Sequence, residues 1–126
     1  MSKAGKNPVT AVAFADDLLK CSNGSDIDYG ILSIGTESGR VEVWAVPIPS
    51  DTYTSSDSEC IPNPVLLRAI PFNDSHFDTV KKISWRPSTG HANGLNNDGG
   101  LMDLTLASCG QDHSVRIFNL VIRNII

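Results

Sequence analysis

The sequence contains no apolar run near the ~18–20 residues that a membrane-spanning helix needs. Its first residues, Met1–Pro8, lack the apolar core of a secretion signal. Positive charge is not in excess. Lys and Arg number 10 against 14 Asp and Glu, a net charge of -4, which argues against a general nucleic-acid binder. Cysteine is sparse: Cys21, Cys60 and Cys109 lie 39 and 49 residues apart, with no CxxC pair. Structural zinc needs closely spaced ligand pairs, and an odd count fits a disulfide framework poorly. Free thiols in a reducing compartment are the expectation. Two sequons, Asn23-Gly24-Ser25 and Asn73-Asp74-Ser75, are then chance matches. No segment carries a helical period, no G-x-S-x-G elbow occurs, and Gly35-x-x-x-Gly39 is not followed by the Lys of a phosphate loop.

What is present is 126 residues, 40% apolar and 19% charged, enough for one globular domain at most. The chain reads as two copies of one unit. Val9-Thr10-Ala11-Val12-Ala13-Phe14 matches Val80-Lys81-Lys82-Ile83-Ser84-Trp85 at an offset of 71. Ile31–Thr36 matches Thr105–Gly110, and Val41-Glu42-Val43-Trp44 matches Val115-Arg116-Ile117-Phe118, both at 74. The change of offset places three extra residues between the first and second matched segments, as a loop would tolerate. Each segment is short, alternating and rich in β-branched or aromatic residues, the pattern of a strand. Glu37-Ser38-Gly39 and Gln111-Asp112-His113 have tight-turn chemistry and predict hairpins. Val65–Ile70 predicts a fourth strand in the first copy. The tail, Leu120–Ile126, is the candidate fourth strand of the second, interrupted by Asn124.

Two connections are long. The stretch 47–64 carries four prolines around the polar Ser50–Ser58 segment, and 87–103 is rich in Gly and Asn. Both are expected to be surface excursions. Ser55, Ser56 and Ser58 are candidate phosphorylation sites within a segment that otherwise reads as a spacer.

Four short strands per repeat, with a turn before a strand that ends in an aromatic residue, resemble a WD40 blade. The division is an extension at 1–8, one blade at 9–71 and a second at 72–126. The fold class is therefore all-β, with about two four-stranded antiparallel blades of an incomplete propeller. In the second copy His76 lies four residues before Val80, and Asp112-His113-Ser114-Val115-Arg116-Ile117-Phe118 resembles the D-x-x-V-x-I-W ending of such repeats. The resemblance implies a buried structural network of His76, Ser108 and Asp112. Phe118 stands at the Trp position and has no N–H to contribute. The first copy has Ser38 at the Asp112 position and Ile34 at the Ser108 position. It keeps the blade aromatic Trp44, as the second keeps Trp85, and is expected to rely on apolar packing. Gly90-His91 is a decoy, since no strand starts four residues later.

Within WD40 proteins, Ile34–Val43 resembles the penultimate repeat of the Elongator complex protein 2 family. Val80–Pro87 with Leu106–Phe118 resembles the last repeat. That resemblance implies a non-catalytic scaffold that supports tRNA wobble-uridine modification. Its protein partners would be the first and third subunits, with tRNA associated only indirectly. No cofactor, metal, small-molecule substrate or membrane is implied, and the location would be the cytoplasm with the nucleus as a second compartment. A WD40 fragment of an unrelated adaptor or trafficking protein is the alternative. Members of the family are much longer, so the chain is expected to be a fragment. Two blades cannot close a ring, and each is expected to expose one apolar flank.

The remaining chemistry is thin. Asp112-His113-Ser114 has the residue types of a hydrolase triad, but neighbours along a strand alternate faces and do not line up. His76, His91 and His113 have no second ligand at metal-binding spacing. Asp16-Asp17 and Asp26-x-Asp28 read as solvated turn residues of the first loop. Lys81-Lys82 with Arg86, and Arg116 with Arg123, are small basic clusters, too few for strong phosphate binding.

Overall fold

The computed structural model describes residues 7–20, 28–48, 63–87 and 101–123. They form seven strands: β1 (Val9–Lys20), β2 (Asp28–Thr36), β3 (Val41–Ile48), β4 (Val65–Ala69), β5 (Val80–Trp85), β6 (Leu101–Gly110) and β7 (Val115–Arg123). A single 3-10 turn at Phe72–Asp74 joins β4 to β5. The strands make two antiparallel sheets, β1-β2-β3-β4 and β5-β6-β7. The architecture is all-β, two blades of WD40 type, the second with three strands among the described residues.

The repeat is reproduced down to single hydrogen bonds. In the first hairpin Thr36 N–H donates to Arg40 O at 3.0 Å, and in the second Gly110 N–H donates to Ser114 O at 3.2 Å. Glu37 N–H donates to Pro8 O at 2.9 Å, and Gln111 N–H to Thr79 O at 2.8 Å. Each turn needs one residue in the left-handed region. Gly39 takes φ 97° in the first and His113 takes φ 66° in the equivalent place. Gly39 also lies against the His76 carbonyl, where an added Cβ would stand 2.2 Å from the oxygen.

The core lies between the sheets. Alternation sends Ile31, Val41, Val43 and Ala45 from the first sheet, and Ile83, Leu104, Leu106, Leu120 and Ile122 from the second, into one cluster. Small side chains at Ala11, Ala13 and Ala15 of β1 pack against that cluster. Gly35 lets Val80 come so close that an added Cβ would stand 2.4 Å from its methyl. The opposite faces are open. Val12 is 60% exposed and Phe14 58% on the first sheet, and Val115 is 69% exposed and Ile117 66% on the second.

Several boundaries differ from the sequence reading. β1 continues to Lys20, so Asp16 and Asp17 lie within a strand, at a register irregularity between Phe14 and Leu18, and not in a loop. A bulge absorbs the extra residues without ending the strand. Asp28 opens β2. β3 includes Pro47 and Ile48, and β6 begins at Leu101, so the connections expected at 47–64 and 87–103 are shorter than drawn. Asn7 and Pro8, assigned to an extension at 1–8, are bonded to the first hairpin. Leu120–Arg123 extends β7 and is not a separate fourth strand, because residues 101–104 of β6 pair with it. The serines at 55, 56 and 58, together with Asp26, His91, Cys21 and Cys60, lie outside the described residues.

Candidate functional site

Asp112 sits in the turn between β6 and β7, where its side chain turns back on the chain. Its Oδ1 accepts the Ser114 N–H at 3.2 Å and the Ser114 hydroxyl at 2.7 Å. That local Asx arrangement is the reason aspartate suits a tight turn. Its Oδ2 accepts the Phe77 N–H at 2.9 Å, across 35 residues of sequence. His76 completes the site, with Nδ1 at 3.1 Å from Asp112 Oδ1. A carboxylate can only accept, so Nδ1 carries the proton in this pair. Nε2 then accepts the Ser108 hydroxyl at 2.7 Å in the neutral ring.

These donors hold the Asp112 carboxyl well below the usual carboxylate range. The Phe77 N–H is the largest cause, burial opposes it, and Ser114 and His76 add to it. Gly110 makes room for the arrangement, since a Cβ there would stand 2.7 Å from His76 Nδ1 and 2.9 Å from Asp112 Oδ1.

Ser108, His76 and Asp112 thus stand in the hydrogen-bonding order of a hydrolase triad. Ser108 is 1% exposed and His76 2%. A nucleophile must reach its substrate, and this serine faces packed protein. What the arrangement does is satisfy every buried polar group it contains while tying the chain before β5 to the β6–β7 turn. The adjacent sequence triplet does not act together: His113 is exposed and holds the left-handed turn position while Asp112 and Ser114 bond each other. Among the described residues no group of three His, Cys, Asp or Glu is placed to hold a metal. No helix among the described residues is long and apolar enough to cross a membrane.

Phe118 does not enter the polar site. It is partly buried against the core, opposite Leu106. Trp44 faces the open side of the first blade and donates its Nε1–H to Glu42 at 3.0 Å. Trp85 joins the two blades. Its Nε1–H donates to Ser33 Oγ at 3.0 Å and to Ala13 O at 3.1 Å. Lys81, Lys82 and Arg86 are exposed. The Arg116 guanidinium stacks over Phe77 at 5.3 Å, and Phe77 is 73% exposed.

Sequence reasoning missed Ser114, Asn7, Thr36 and Ser33 as polar partners. Ser114 was recoverable, because Asp-x-Ser at a turn is an Asx signal. The first hairpin also has polar bonds. Asn7 Nδ2–H donates to Ser38 Oγ at 2.9 Å, and Thr36 Oγ1 accepts the Arg40 N–H at 3.1 Å. The expectation that this blade is held by apolar packing without a polar network is corrected to that extent. No periodic pattern marks Asn7 for this. Ser33 was hidden for a similar reason: a serine in an apolar strand has no signature until its partner strand is known.

No protein-family model matches the chain. Over 112 residues, 89% of its length, it is 30% identical to Elongator complex protein 2 of Drosophila melanogaster. Over 112 residues it is 29% identical to Elongator complex protein 2 of Dictyostelium discoideum. The chain spans 10% and 11% of these relatives. With two WD40-type blades, it therefore resembles, over most of its own length, a small part of Elongator complex protein 2.

Proposed function

We propose that this chain is a non-catalytic WD-repeat interaction module of an Elongator-type assembly. It corresponds to the C-terminal end of the second subunit, the scaffold that joins the first subunit to the third. Its contribution to tRNA wobble-uridine modification is indirect: it helps to hold the subunits that carry out the chemistry. Its place is the cytoplasm, and the nucleus as well.

The observation that carries the reading is the similarity over 89% of the chain to two second-subunit proteins. The site geometry supports it. The groups with catalytic residue types are consumed in mutual hydrogen bonds and buried, which serves rigidity. Exposed Phe72, and exposed Phe77 with the half-buried Arg116 guanidinium over its ring, are side chains suited to a protein partner. The test is precipitation of the native protein from lysate with an antibody to this segment, followed by mass spectrometry. The first and third Elongator subunits are expected among its companions. Their absence, with a different adaptor or trafficking set in their place, would overturn the reading.

A further inference from the structure

We draw no further inference here: the strongest candidate, the open apolar face of the first sheet around Val12, Phe14 and the groove of Leu32, Ile34, Trp44 and Val46, carries no proposal because nothing among the described residues shows what covers it.

Discussion

The Trp85 Nε1–H lies 3.0 Å from the Ser33 hydroxyl and 3.1 Å from the Ala13 carbonyl, a contact that pins the second blade onto the first. The Ser33 hydroxyl itself donates to Ala13 O at 3.0 Å. One carbonyl thus anchors two donors from two strands. Trp85→Phe removes the N–H and keeps most of the packing. It should cost about 0.5–1.5 kcal/mol in urea melts. Ser33→Ala should cost a similar amount, and the double variant less than the sum, because both changes break the same contact. Strict additivity would show that the two side chains act independently.

His76 is the buried centre of the polar site, bonded on one side to Asp112 and on the other to Ser108. His76→Phe leaves Ser108 buried without its partner. Destabilisation of about 1–3 kcal/mol is expected. Ser38→Ala, on the exposed first hairpin, should stay within about 0.5 kcal/mol. Equal losses at the two positions would show that the second blade owes nothing special to its network.

Acid should act through Asp112. Its carboxyl titrates below the ordinary aspartate value of 3.8, so the folded state binds the proton less readily than the unfolded chain does. The contribution is therefore complete above the unfolded value and is lost as pH falls through the lower folded one. Melting curves should show Asp112→Asn less stable than the wild type at neutral pH. The gap should shrink as pH drops below about 4. A gap that stays constant with acid would sink the assignment.

Gly35 and Val80 are in closer contact than any Cβ at position 35 would allow. The obstacle is the β-branched carbon of Val80, itself 0% exposed, so it has nowhere to move. Gly35→Ala should force the blades apart and cost roughly 1–3 kcal/mol. Gly35→Ala combined with Val80→Ala should recover part of that loss, which calorimetry can read. No recovery would mean that the Cβ left at position 80, 2.6 Å from the added one, is enough by itself to hold the blades apart.

Much of this was legible in the residues. Alternation in Val9–Phe14, Val41–Trp44 and Val115–Phe118 reflects one buried and one open face, a period that sequence records directly. The hairpins were legible because turns demand particular chemistry at Glu37–Gly39 and Gln111–His113. The grouping of His76, Ser108 and Asp112 was expected only through resemblance to a repeat. Strand ends were not legible. Asp16 and Asp17 look like turn residues, yet a bulge keeps them in β1, because pairing with β2 outweighs local preference. The tail of β7 looked like a strand of its own, and the length of β6 decided otherwise.

The sequence by itself determined that this protein is all-β and built of two related units, since periodicity, turn chemistry and repetition are local properties of the chain. Tertiary structure alone decided which face of each unit is covered. The odd positions of β3 are buried while those of β7 are exposed, although the residues match. Which face loses water depends on which neighbour is present, and no residue encodes its neighbour. The same holds for the Ser33–Trp85 contact across 52 residues of chain, which exists only because two sheets meet.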